Sequence, residues 1–489
     1  MTRSAQTVTR FHLNSVVLFT VLLFCCAIPT AAQYNAGASG ASTTGSSAAG
    51  QMSQLTGSVP SGPASKEVLQ LTLRDAVTQA LRYNLGSIET TEDTQVARGE
   101  RLLALSALLP QISAELSETA QELALATLGI KKEKQLAGLP AVIGPFAYSS
   151  VQANISATLF SYASIQRYRS AQTAEQASKL SYQDTLDVIT LIVGNAYLQV
   201  IADASHVEAQ EAQVQNAKSL YDQAVDQFQA GTAPKIDVTR TEVQLHTEQY
   251  NLSIARNNFS IAKLALGRAI GLPLGQQFEL ADKLPYFDIN PPTVDDALKM
   301  AYQSRNDFRA ALSSQKAAAQ TLAAAKGERY PVVAMNGFYG DVGETFGHSN
   351  GNFEFQGGVS VPVFTGGRIK GDITQAEAKL RQRKAESENL RGQIDYDVRS
   401  AYLNLTAAKE QVDVATRTVA LANETLDRSK ERFASGVTDS VEVVQSEQYL
   451  ASANDQYIAS LYSHGFAKLS LARAMGVART DYHQYLGGK

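Results

Sequence analysis

The stretch from Val193 to Gly271 occurs twice in this sequence, which restricts the chain to folds with internal pseudo-symmetry. A shift of 205 residues carries Ala196-Tyr197-Leu198 onto Ala401-Tyr402-Leu403, Phe228 and Gly231 onto Phe433 and Gly436, and Gly271 onto Gly476. No gap is needed. Each copy contains a heptad ladder. Val193, Val200, Val207, Val214, Tyr221 and Phe228 form the first, and Val398, Leu405, Val412, Val419, Leu426 and Phe433 the second. Ala401, Ala408, Ala415, Ala422 and Ser429 add a small-residue row three positions on, which lets helices approach closely. A period of 3.5 keeps one stripe against a partner helix and winds the pair left-handed. Each ladder stops at Phe-x-x-Gly, where glycine supplies a turn. A second helix follows, with Asp237 or Glu442 in its first turn. Each copy therefore reads as a long helical hairpin with a glycine tip.

The repeat extends upstream. Thr72 with Asp75 and Thr293 with Asp296 are N-capping patterns, 221 residues apart. The first short helix is broken at Asn84-Leu85-Gly86, and a second runs to Leu109-Pro110, matched by Tyr330-Pro331. After each proline the period changes to two. Ile112, Ala114 and Leu116 alternate with Ser113, Glu115 and Ser117, and Val151 to Leu159 alternates with Gln152, Asn154, Ser156 and Thr158. Phe353, Phe355, Val359, Val361 and Val363 alternate with Glu354, Gln356 and Ser360, while Val333 to Tyr339 is a weaker match. These are strands with one apolar and one polar face, of roughly nine to eleven residues, the length that crosses a tilted bilayer. The first connecting loop, about 118–149, is expected to be long, with a helical piece around Gln121 to Gln135; the second, about 341–352, is short and glycine-rich.

The N-terminus reads as an export signal: Arg3 and Arg10, an apolar core from Val16 to Ile28, then Thr30-Ala31-Ala32. Both cysteines, Cys25 and Cys26, fall inside it, so the processed chain has no thiol chemistry; lipidation at either is disfavoured by Phe24 or Cys25 preceding it. The resulting division is a signal peptide at 1–32, a disordered Ser/Gly/Ala-rich linker at 33–67 and a first repeat at 68–271. An inter-repeat linker at 272–292, a second repeat at 293–477 and a tail at 478–489 complete it. A net charge of -4 implies no nucleic-acid partner. No apolar run after the signal suggests a transmembrane helix. The long helices, about 164–229 and 368–434, would each span roughly 100 Å, close to a return helix (~54 Å) and a pre-strand helix (~33 Å) laid end to end.

Four amphipathic strands cannot close a barrel, and an open edge is untenable in lipid, so the barrel must be shared between chains. The polar faces (Ser113, Glu115, Gln152, Asn154, Glu354, Gln356) would line a lumen. The other reading is a soluble sandwich. From about Leu71 to Val477 the chain resembles the TolC-like outer membrane efflux proteins. The resemblance is carried by Leu71-Thr72-Leu73 with Asp75-Ala76, Leu108-Leu109-Pro110, Val361-Pro362-Val363-Phe364-Thr365-Gly366-Gly367, Ala401-Tyr402-Leu403 and the Phe-x-x-Gly tips. It implies a mainly α fold of long coiled-coil hairpins with a membrane β-barrel, four strands per chain in a trimeric twelve-stranded barrel. It also implies an exit duct in the outer membrane, serving a periplasmic adaptor and an inner-membrane pump of the RND or ABC type. A coiled-coil envelope protein without channel activity, and an adaptor subunit, are the competing functions; an adaptor would carry a compact β-domain that is not readable here.

No catalytic constellation, metal-ligand spacing or phosphate-binding turn is visible, so neither an enzyme nor a cofactor is expected. Function is expected in a pore and its gate. The resemblance makes Glu442 and Asp237, six residues after the tip glycines, candidates for an acidic ring at the entrance; both also read as ordinary first-turn acids. The family's second acid is replaced by Gln445 and Arg240, and its tyrosine–arginine latch by Phe433 and Thr438, with Asp439 as an alternative. Phe228, Gly231, Thr232, Phe433, Gly436 and Val437 are the adaptor-docking candidates, which also cap the hairpins.

Overall fold

Tyr197 shows how the sequence pattern becomes a core. Its ring is buried on the first long helix, and its hydroxyl donates to the Leu71 carbonyl at 3.0 Å and to Asp282 at 2.8 Å. In the computed structural model the described residues are 55–124, 142–273, 275–282, 286 and 288–480. They lie in one compact unit, 51–489; the other unit, residues 1–50, contains none of them. The expected signal peptide and residues 33–54 of the expected linker fall outside the described residues.

The chain order is β1 (Leu69–Leu71), α1 (Leu73–Tyr83), α2 (Leu85–Ser106), β2 (Gln111–Ala124), β3 (Val142–Phe160), α3 (Tyr162–Gln229), α4 (Lys235–Ile270), β4 (Phe278–Leu280), α5 (Val294–Ser304), α6 (Asn306–Gly327), β5 (Val332–Thr345), β6 (His348–Ser360), α7 (Arg368–Ala434) and α8 (Ser440–Ala474). α1 to α4 have 11, 22, 68 and 36 residues, and α5 to α8 have 11, 22, 67 and 35. The capping box expected at Thr72 is formed, with Thr72 Oγ1 accepting from Asp75 N at 3.1 Å. Thr293 caps α5 through its Oγ1, which accepts from Asp296 N at 3.3 Å. Asn84 alone makes the break between α1 and α2: it ends one helix and its side chain caps the next.

β2, β3, β5 and β6 form one antiparallel sheet in that order. The strands have 14, 19, 14 and 13 residues, longer than expected, because pairing continues through the segments read as loops. The helical piece placed at Gln121 to Gln135 is wrong where it can be seen: Gln121 to Ala124 are strand, paired with β3. Residues 125–141 lie outside the description.

The helices form two rows. Nearer the sheet, α3 packs on α2 and α6, and α6 packs on α7, giving the order α2–α3–α6–α7, the same as the strands they join. Nearer the tips, α3 packs on α4 and α8, and α8 on α7, giving α4–α3–α8–α7. Ile189, Val193 and Val200 pack with Val77, Leu266, Ile270 and Phe278 in one core; Val398, Leu405, Ala301, Leu471 and Met475 form its counterpart. Position in the row decides how the ladders are used. α7 ends both rows, and Val398, Leu405, Val412, Leu426 and Phe433 of its ladder are buried, with Val419 partly buried. α3 is interior, and toward the tip its buried stripe moves to Gln213, Ala217, Leu220 and Ala224, off the expected Val214, Tyr221 and Phe228. α3 contains one window long and apolar enough to cross a membrane, contrary to the sequence reading, but most of that window is buried in the bundle.

Three boundaries need correction. Residues 55–67, expected to be disordered, are hydrogen-bonded to the bundle through Gly57, Val59, Ser61 and Ser65. The linker 272–292 contains β4, a parallel partner of β1. The tail begins with a buried Ala478 and with Arg479 paired to Asp187 at 3.7 Å; residues 481–489 lie outside the description.

Candidate gate and pore-lining residues

The two hairpin tips have the same backbone solution. Gly231 and Gly436 adopt positive φ (74° and 70°), and the next amides, Thr232 N and Val437 N, return to Gln227 O and Arg432 O at 2.9 Å. This left-handed C-terminal turn satisfies helix-end carbonyls, as the Phe-x-x-Gly pattern predicts. The side chains diverge. Phe433 is 3% exposed and packs among Leu220, Leu426 and Val443, whereas Phe228 is 43% exposed. Phe433 is therefore corrected from a docking candidate to a core residue. Phe228, Gly231, Thr232, Gly436 and Val437 are exposed.

Asp237 requires a second correction. It is 5% exposed, enclosed by its own chain. Its Oδ1 accepts from Ser440 Oγ at 2.7 Å and from Arg240 NH1 at 2.9 Å, and Arg240 NH1 also donates to Ser440 Oγ at 2.9 Å. This three-residue lock joins the start of α4 to the start of α8, and so one hairpin tip to the other. A buried charge needs such partners, since an unpaired one costs several kcal/mol or about that order. Glu442 is half-buried and held inside its own hairpin: Thr438 Oγ1 donates at 2.6 Å, Ser429 Oγ at 3.5 Å, and Arg432 Nε lies at 3.4 Å. Asp439 is the N-cap of α8, accepting from Val441 N at 3.1 Å.

Above the lock sits a group that sequence reasoning did not find. Glu447 is 3% exposed, and its Oε1 has no hydrogen-bond partner among the described residues. Burial raises its carboxyl to about 7, with Glu248 adding to the rise and Lys430 opposing it. Glu248 is itself buried and accepts from Gln244 Nε2 at 2.6 Å.

In the sheet, register puts the four lumen candidates on one face. Gln356 lies in the row Gln111–Ser156–Asn336–Gln356, Asn154 and Glu354 in Ser113–Asn154–Phe338–Glu354, and Gln152 in Glu115–Gln152–Gly340–Asn352. Eight of these residues, Gln111, Ser113, Asn154, Ser156, Asn336, Phe338, Glu354 and Gln356, line one recess. The opposite face carries exposed Ile112, Leu116, Val151, Tyr339, Phe353 and Phe355. Strands β2, β3, β5 and β6 contain Glu115, Glu118, Glu122, Asp341, Glu344 and Glu354 and no lysine or arginine. Among the described residues no three His, Cys, Asp or Glu side chains are grouped to hold a metal.

A sheet polar on one face and apolar on the other, joined to two rows of long helices, is matched by a known sequence profile, that of the outer membrane efflux proteins, at residues 90–272 and 297–477. The chain belongs to the outer membrane efflux protein family. The toluene efflux pump outer membrane protein TtgC of Pseudomonas putida is 24% identical over 323 residues, which is 64% of this chain and 64% of that protein's length. The outer membrane protein TolC of Escherichia coli is 21% identical over 328 residues, 63% of this chain and 66% of that protein. Among solved structures, the Campylobacter jejuni CmeC outer membrane channel aligns with a TM-score of 0.73 at 17% identity, covering 83% of this chain and 86% of that one. Vibrio cholerae VceC aligns at 0.71 and 19%, covering 83% and 96%. At these identities the structures establish the efflux-protein fold.

The sequence does not mark Ser440, Glu447 or Glu248, nor the bonds that Arg240 makes, because no local pattern links them. Arg240 and Ser440 are 200 residues apart, and only the packing of α4 on α8 joins them.

Proposed function

We propose that the chain is one of three copies forming an exit duct in the outer membrane, which passes substrates from a periplasmic adaptor and an inner-membrane pump, of the RND or ABC type, to the exterior. The observation that carries this reading is that every layer of the described unit is an open row. The sheet ends in unpaired edges at β2 and β6. The helical rows end in α2 and α4 on the β2 side and in α7 on the β6 side. In the tip-side row both ends expose apolar residues at near-heptad spacing: Val243, Tyr250, Ile261 and Leu264 on α4, and Tyr396, Leu403, Val414 and Leu421 on α7. Ends of this kind are satisfied by head-to-tail association that closes into a ring. Three copies give twelve strands, an even barrel number with no free edge in lipid. The recurring element order, with the profile matching in both halves, supports an origin by internal duplication.

In this reading Gln152, Asn154, Glu354 and Gln356 face the lumen, and the acids that share their face, Glu115 and Glu354, make that lumen cation-favouring. Asp237, Arg240 and Ser440 hold the tips of each copy together as the gate. Glu442, held by Arg432 and Thr438, stiffens one hairpin beside it, and Asp439 caps its helix. Phe228, Thr232 and Val437 are the exposed residues offered to the adaptor. The names of the relatives, efflux pump outer membrane proteins and TolC, agree with this function. Residues 1–32 serve as the export signal. Native mass spectrometry of the purified full chain in detergent tests the assembly: the expected result is a mass of three copies, and a monomer at all concentrations contradicts it.

A further inference from the structure

The turn between β6 and α7 carries the most exposed large apolar pair among the described residues, Val363 at 95% and Phe364 at 90%. Neither packs on its own chain. On the other flank, α2 presents Val96 and Leu103 outward, on the side opposite the residues that face α3, and Leu109 follows exposed just before β2. Leu103 is 73% exposed. Both patches lie at the same end of the sheet, the end where the strands join the helices, and each adjoins an unpaired edge strand.

We propose that Phe364 and Val363, with the first turns of α7, seat on the Val96–Leu103 face of α2 in the neighbouring copy, forming the contact that joins barrel to helical tunnel. The inference rests on the ring reading above and assigns its residues. Counting from the sheet supports it. Phe364 follows the end of β6 by four residues, and Gly371 and Ala378 by eleven and eighteen. Leu103 precedes the start of β2 by eight, and Val96 by fifteen. Leu103 thus falls between Phe364 in the turn and Gly371 of α7, and Val96 between Gly371 and Ala378 of α7, the spacing of knobs in holes. Gly371 and Ala378 are exposed and small, so nothing on α7 blocks the approach. Charge is complementary at the same depths. Glu100 precedes β2 by eleven residues and Lys370 follows β6 by ten; Glu89 precedes by twenty-two and Arg381 follows by twenty-one. All four are exposed. A continuous run of apolar surface beside unpaired strand edges calls for a protein partner, and the neighbouring copy supplies both strand and helix in register.

The test uses the full chain in its outer-membrane form, with Cys25 and Cys26 replaced by serine. Leu103→Cys with Phe364→Cys, treated with a flexible bismaleimide, is expected to give covalent dimers and trimers on denaturing gels, while neither single variant does. Arg381→Glu or Glu89→Arg alone is expected to lower the temperature at which the oligomer dissociates, and the double exchange to restore it, with helicity unchanged in all three. If the three-copy mass is found but the cysteine pair does not cross-link and Phe364→Cys is labelled by a maleimide carried on lipid, the phenyl faces the bilayer and this contact is refuted while the ring stands. If no oligomer forms at any concentration, the ring reading fails and this contact with it.

Discussion

Arg240 changes what Asp237 does. A carboxylate 5% exposed beside a guanidinium and a serine hydroxyl is a bond between hairpins, not an open ring. The first-turn position of Asp237 and Glu442 was legible in the sequence, because an acid there favours a helix N-terminus. Their partners were not, because hydrogen bonds across 200 residues leave no spacing to read. Glu447 makes a separate prediction. Its raised carboxyl, at about 7 against an ordinary 4.5, means the folded chain keeps a proton that the unfolded chain has lost between those values. Stability from this group is therefore full below pH 4.5, falls as pH rises toward 7, and is flat above. Glu447→Gln should remove that slope and stabilise the helical unit at pH 8 by up to about 3 kcal/mol. Melting followed by circular dichroism at pH 5 and pH 8 checks this; an unchanged pH dependence in the variant contradicts it.

Between elements, α3 and α8 approach closely where the two halves meet. A Cβ at Gly194 would lie 2.4 Å from Leu469 Cδ2, and one at Gly465 would lie 3.2 Å from Leu198 Cδ1. The Leu469 methyl is the end of a flexible side chain and can turn aside, and alanine is favoured over glycine in a helix by about 1 kcal/mol. Gly194→Ala should therefore melt close to wild type. Gly194→Leu has no such escape and should cost about 1–3 kcal/mol through overpacking. The tip phenylalanines give a paired test. Phe433→Ala should cost about 3–5 kcal/mol of tip stability, because its ring fills the hairpin core. Phe228→Ala should change stability little. Hydrogen exchange at the two tips reads both, and equal protection losses would contradict the asymmetry. The heptad ladders gave the helix lengths and turns almost to the residue, since periodicity and glycine are local signals. They could not show that α3 is interior and α7 terminal, and that difference buries Phe433 and exposes Phe228. Strand ends were underestimated for a related reason: Glu118, Glu122 and Glu344 read as loop residues, yet Glu118 pairs with Ser149, and Glu122 and Glu344 sit at register shifts within strands that continue past them.

At the scale of the whole molecule, the chain leaves a flank open at each end of every row, and the proposed ring closes both. Leu403→Asp, in the exposed seam of α7, should convert the oligomer to monomer without loss of helicity, as sedimentation velocity would show; a persistent three-copy species would remove α7 from the interface. Replacing Glu354 by lysine puts a positive charge on a sheet face that has none and should reduce cation preference, read as a shift in reversal potential under a salt gradient. The most direct measurement of the account is ion current through the purified oligomer in planar bilayers, wild type against Arg240→Ala. The expected result is small, intermittent current for wild type and sustained, cation-selective current at least about tenfold larger once the Asp237–Arg240–Ser440 lock is broken, an effect of ~1.4 kcal/mol or more on the closed tip. An oligomer that stays silent in both forms would contradict it.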